Sequence, residues 1–127
     1  MPDTDQKYRV ATYSYACTAY VRTTLRCALA LQSAQNVWDN EEHANTARGM
    51  MGPVGWSEIL SDTQVWELTK LELMTIHRAL EWRKAKRDAG TADTHVSHVI
   101  RAEWSFIEAE ITRVLRAVWH SEGKYWM

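Results

Sequence analysis

Apolar positions recur along most of the chain with the 3.6-residue period of an α-helix. In the first segment Tyr13, Cys17, Tyr20, Thr24, Cys27, Leu31, Ala34 and Trp38 follow an alternating spacing of four and three, widened by Val21, Leu25 and Ala28. Arg22, Arg26, Ser33, Asn36 and Asn40 fall opposite, so the pattern predicts one long amphipathic helix over about 7–47. The stretch 49–56, with three glycines and Pro53, cannot continue a helix and reads as a connection. A second helix is predicted over 61–88. Ser61 and Gln64 have capping-box spacing, cations Arg83, Lys84, Lys86 and Arg87 crowd the last turns, and Gly90 lies just beyond. Asp93 or Thr94 then caps a third helix over 94–121 with Val96, Ile100, Glu103, Ile107, Ile111, Val114 and Val118 as its core stripe, before Gly123. The expected fold is all-α, a single domain shaped as an elongated up-down-up bundle of three long helices.

Composition narrows the function classes. The chain has 127 residues, enough for one ordinary core, and 15 Lys plus Arg balance 16 Asp plus Glu for a net charge of -1. That balance argues against a generic affinity for nucleic acid, and Arg78, Arg83, Lys84, Lys86 and Arg87 point all round their helix instead of forming one face. Uncharged runs are short and rich in Thr, Ser, Gln and Asn, which argues against membrane insertion. The acidic opening Asp3, Thr4, Asp5 is unlike a cleavable targeting signal, and Cys17 and Cys27 are too few for a disulfide scaffold. Reduced core thiols in a cytoplasmic or other reducing compartment are expected.

The unusual feature is aromatic: seven Trp and five Tyr against one Phe. Trp and Tyr couple a large apolar face to a polar handle, as residues at interface rims do. Trp66 and Trp82 lie on opposite borders of the second helix's apolar arc, which includes Leu71 and Met74 and covers more than half its circumference. Trp104 and Trp119 flank the third helix's stripe. These six residues form the expected docking surface, and the expected function is a non-catalytic interaction protein, a homo-oligomer or an accessory subunit, binding a protein partner or itself.

Candidate chemistry is sparse. Glu72, Glu103 and Glu42 fall on inward faces, where the first two are expected as buried carboxylates bonded to Tyr13, Tyr20 or Thr24 or paired with an Arg. Carboxylate-bridged metal sites in bundles add Glu-x-x-His, which is absent, and His95 and His98 face away from the core stripe, so neither metal nor cofactor is expected. Arg113 and His120, seven apart on one face with Arg116 beside them, have a spacing that resembles the Arg-x(4 to 6)-His signature of HEPN-type ribonucleases, although Val114 stands where that family has a polar residue. The resemblance implies the alternative function, in which His120 acts as acid or base on a ribose hydroxyl across a dimer and Arg113 stabilises the phosphate. The run Tyr20, Val21, Arg22 also resembles the Leu-Tyr-Arg motif of small three-helix mitochondrial accessory and assembly proteins, with Val21 interrupting the Tyr-Arg pair.

Overall fold

The structure, a computed structural model, describes residues 6–52, 58–61 and 64–122. Among these described residues four α-helices and a two-stranded antiparallel sheet replace the predicted three-helix bundle. Both ends assigned to helix by periodicity are strands. In β1 (Lys7–Ala11) and β2 (Val65–Thr69) the buried residues Val10, Trp66 and Leu68 alternate with exposed Lys7, Arg9 and Glu67, a period of two. Their register sets Val10 opposite Trp66 and Tyr8 opposite Leu68 on the core side, and Arg9 opposite Glu67 on the other.

The predicted helix over 7–47 is cut twice. Thr12 N–H extends the ladder to the Gln64 carbonyl, Tyr13 then adopts a left-handed φ of 60°, and Ser14 Oγ accepts the Cys17 N–H as α1 (Tyr15–Gln35) begins. Asn36, at φ 49°, ends α1, and Asn40 caps α2 (Glu41–Met51) by accepting the His43 N–H at 3.0 Å. The connection anticipated at 49–56 starts later, at Gly52 with φ 67°, and residues 53–57 of it lie outside the described residues. A short 3₁₀ turn (Glu58–Leu60) precedes β2.

α3 (Lys70–Asp88) starts nine residues after the predicted Ser61, because Thr69 is at once the last residue of β2 and the helix cap. Glu72 completes a capping box by accepting the Thr69 N–H at 2.8 Å. The predicted end at residue 88 agrees. α4 (His98–Ser121) is capped by Ser97 instead of Asp93 or Thr94, and Asp93 takes a left-handed φ of 59° in the preceding turn. α3 and α4 run antiparallel, tied by Lys70 to Glu122 (2.7 Å) at one end and by Arg87 to Glu108 (3.2 Å) at the other.

One apolar cluster joins every helix and both strands, with Leu25, Met50, Leu68, Ile76, Ile107 and Leu115 almost wholly enclosed. Each such side chain contributes about 1.5–3 kcal/mol by leaving water. The α1 stripe is rotated from its expected position. Val21, Leu25 and Ala28 face inward, whereas Cys27, Leu31 and Tyr13 are exposed; Cys17 and Cys27 are both free, but only Cys17 is a core thiol. Arg22, expected on the polar side, is buried and donates from Nε to the Leu60 carbonyl at 2.8 Å. Among the described residues no helix is long and apolar enough to cross a membrane.

Candidate functional site

α4 carries two faces. Its core side runs through Trp104, Ile107, Ile111, Leu115 and Val118, and its outer side through Val99, Ala102, Phe106, Ala109, Arg113, Arg116 and His120. Those outer positions recur at three and four, so they stack in one line along the helix. The first half of that line is apolar and open to water: Val99 is 74% exposed and Phe106 59%. Tyr13 joins it from the β1–α1 corner, its ring tilted 45° against Phe106 with centroids 6.0 Å apart.

Tyr13 stands there because Glu110 holds the corner. Glu110 is buried and accepts the Ala11 N–H at 3.0 Å, the Tyr13 hydroxyl at 3.4 Å and a two-pronged pair from Arg113 at 2.9 and 3.0 Å. The Arg113 hydrogen bonds keep its carboxyl below the usual glutamate range against the opposing effect of burial, with the Ala11 N–H adding to them. The left-handed backbone of Tyr13, costly for an aromatic residue, is thereby imposed by its surroundings.

The second half of the line is cationic and forms one wall of a cleft of about 620 Å³ between α3 and α4. Lys84, Arg87, Arg113 and Arg116 line it with Glu81 and Glu108, over a floor that includes Leu80. Arg87 divides its guanidinium between Glu108 and the Tyr20 hydroxyl (3.0 Å). His77 lies near Glu81 (3.7 Å), and burial holds its pKa below the ordinary histidine value. The Ser105 and Thr112 hydroxyls each donate to a backbone carbonyl four residues earlier, so neither is set up against a base as a nucleophile. The cleft offers charge more than reactivity.

A second aromatic cluster lies inside. Tyr20 and Trp104 stack at 4.3 Å with planes 14° apart, and the Arg83 guanidinium sits 4.4 Å and 4.8 Å from their ring centroids. Arg83 also grips Asp93 with two hydrogen bonds (2.9 and 3.0 Å) and Thr24 Oγ1 at 2.8 Å. Tyr20 donates to Glu108 at 2.7 Å, and burial, reinforced by that carboxylate, pushes its pKa well above the ordinary tyrosine value. This cluster welds α1, α3 and the turn before α4 together.

The residues expected from sequence are dispersed. Trp66 lies in β2, 1% exposed, with its indole N–H on the Ser61 carbonyl (2.9 Å), and Trp104 is stacked in the inner cluster. Trp82, Trp119 and Met74 are half-buried against the core, Lys86 lies over Trp82 at 5.6 Å, and Leu71 is half-buried on α3. Glu72 serves as a cap, and Glu103 is half-buried with its carbonyl accepting the Cys17 thiol at 3.1 Å. The tyrosine and arginine partners foreseen for these two carboxylates are taken by Glu108 and Glu110. Arg113 and His120 do share the cleft wall. Among the described residues no group of three or more His, Cys, Asp or Glu is placed to hold a metal ion. Sequence reasoning missed Phe106 and Tyr13; the available signal was Val99, Phe106, Arg113 and His120 at intervals of seven, which puts the chain's one Phe on the side opposite the core stripe. Comparison with protein-family models, with curated proteins and with solved structures finds no match.

Proposed function

We propose that the protein is a non-catalytic helical interaction protein whose docking face is the outer side of α4. The observation that carries this reading is the exposed aromatic and aliphatic patch of Tyr13, Val99 and Phe106 on a rigid helix. Large exposed apolar residues that adjoin one another mark contact sites on folded proteins, and aromatic anchors dominate binding energy there. The half-buried Trp82 and Trp119 contribute through packing, not through a free surface. Affinity capture from the source cell's extract, with the wild type beside a Val99→Ser/Phe106→Ser variant of unchanged circular dichroism, tests it. A protein retained by the wild type and lost from the variant is expected; identical captures contradict the reading.

The shared cleft wall of Arg113, Arg116 and His120 favours one second reading, the HEPN-like ribonuclease. Cleavage of total RNA that is abolished in both Arg113→Ala and His120→Ala supports it. No cleavage, or cleavage indifferent to either change, ends it.

A further inference from the structure

We infer that the β1–α1 corner is a two-state latch set by Arg113. Closed, Glu110 holds Ala11 and Tyr13 and keeps the Tyr13 ring against Phe106; open, the backbone at Tyr13 relaxes and the aromatic pair comes apart. The inference goes beyond the docking reading and does not depend on it, because it concerns how the pair is held and not what covers it.

The closed state carries strain. A φ of 60° puts an aromatic side chain in a region that L residues rarely enter, whereas the chain meets the same need at the end of α1 with Asn36, a residue type that tolerates the conformation. Strained residues persist only where their surroundings over-determine them, and they cluster at switch regions. At Tyr13 the restraint converges on one carboxylate. Thr12 gives its N–H to the Gln64 carbonyl at 2.9 Å, so the Ala11 N–H faces away from β2, and Glu110 takes it at 3.0 Å. The Tyr13 hydroxyl reaches the same carboxylate at 3.4 Å.

Opening offers two gains. It relieves the backbone, and it lets water reach a Glu110 side chain that is only 6% exposed. Arg113 opposes the second gain by matching the buried charge with bonds of 2.9 and 3.0 Å. With 66% of its own side chain exposed, Arg113 can be removed without opening the core, which makes it the member of the latch that sets the balance.

The hinge is short. Val10, wholly enclosed opposite Trp66, pins β1 on one side, and Ser14 Oγ holds the Cys17 N–H on the other. The change in φ and ψ is therefore absorbed by residues 11–13, at the junction of two elements, where hinges are found.

Native-state amide hydrogen exchange, read by NMR on the full chain, tests the latch. The Ala11 and Thr12 amides report the corner, Val10 the strand behind it, and Ile111 and Leu115 the core of α4. The wild type is compared with Arg113→Met and with Arg113→Met/Tyr13→Asn. Arg113→Met is expected to speed exchange of Ala11 and Thr12 roughly tenfold, the scale of left-handed strain. It is expected to weaken the nuclear Overhauser contact between the Tyr13 and Phe106 rings and to leave Val10, Ile111 and Leu115 unchanged. Adding Tyr13→Asn removes the strain at the cost of the longest Glu110 bond, and is expected to reverse most of the acceleration. Exchange that ignores Arg113→Met, or that quickens equally in Val10 and α4, overturns the latch. A quickening that Tyr13→Asn leaves in place also overturns it, because Arg113 then acts as an ordinary brace with no strain to release.

Discussion

Two places in this molecule use the same parts to opposite ends. Each joins an aromatic pair to an arginine–carboxylate pair: Tyr20 and Trp104 with Arg83 and Asp93 inside, Tyr13 and Phe106 with Arg113 and Glu110 outside. Inside, the rings are 2% and 8% exposed and nearly parallel; outside they are 56% and 59% exposed and tilted. Arginine follows the rings, with 15% of the Arg83 side chain exposed against 66% of Arg113. Interactions sealed from water hold elements together, whereas the same groups left wet contribute little to folding and stay available to another chain. Burial, not residue type, assigns structure to one cluster and leaves the other open for the contact we propose.

The sharpest way to break this comparison is to truncate one ring from each cluster. Trp104→Ala is expected to lower unfolding free energy by about 3–5 kcal/mol, as for a large buried aromatic, and Phe106→Ala by less than about 1 kcal/mol, as for a surface site. Urea denaturation of both variants measures the gap, and equal losses contradict the division of roles. Next comes the arginine pair. Arg83→Met leaves a largely enclosed Asp93 without its partner and is expected to cost about 3 kcal/mol. Arg113→Met also leaves a buried carboxylate, but Glu110 keeps the Ala11 N–H and the Tyr13 hydroxyl and the arginine lost is mostly solvent-exposed, so a smaller loss than that of Arg83→Met is expected in the same assay.

Acid sharpens the same point with a smaller effect. Arg83 hydrogen bonds hold the Asp93 carboxyl below its ordinary value, and Arg113 hydrogen bonds do the same for Glu110. Both folded-state values lie under the unfolded ones, so their stabilisation is complete above the normal carboxylate range and is lost as pH falls through the folded values. Unfolding midpoints followed downward from neutral pH are expected to drop through that window. The drop is expected to be shallower in Asp93→Asn and in Glu110→Gln, and an acid limb of unchanged slope in both contradicts the assignment. The smallest expected change is in Tyr13→Gly, where relief of the left-handed backbone offsets loss of the ring contact. Its stability in urea denaturation is expected to stay within about 0.5 kcal/mol of the wild type.

Local signals were readable in the sequence and distant ones were not. The carboxy-terminal end of α3 lies where its cation-rich last turn and the following Gly90, at φ 74°, put it, because dipole and cap effects act within a turn. β1 and β2 escaped notice because each is five residues long and its partner lies more than fifty residues away; Val10 and Trp66 meet only in the folded chain. Ser61 with Gln64 and Thr69 with Glu72 match the same capping pattern, and the strand ending at Thr69 decides between them. The break at Asn36 was hidden by Ala34 and Trp38, which carry the helical spacing across it. For the site, the Arg113 and His120 spacing was legible, but the wet side of α4 was not, since which carboxylates meet Tyr13 and Tyr20 depends on the β1–α1 corner docking at Glu110.

The most direct measurement of the central claim pairs one affinity capture with one melting curve. Affinity capture by the immobilised wild type and Phe106→Ser, with thermal unfolding of both, is expected to show the retained protein lost from the variant at an unchanged melting temperature. An unchanged capture, or a loss that appears only together with a lowered melting temperature, contradicts the claim that this face exists for contact and not for folding.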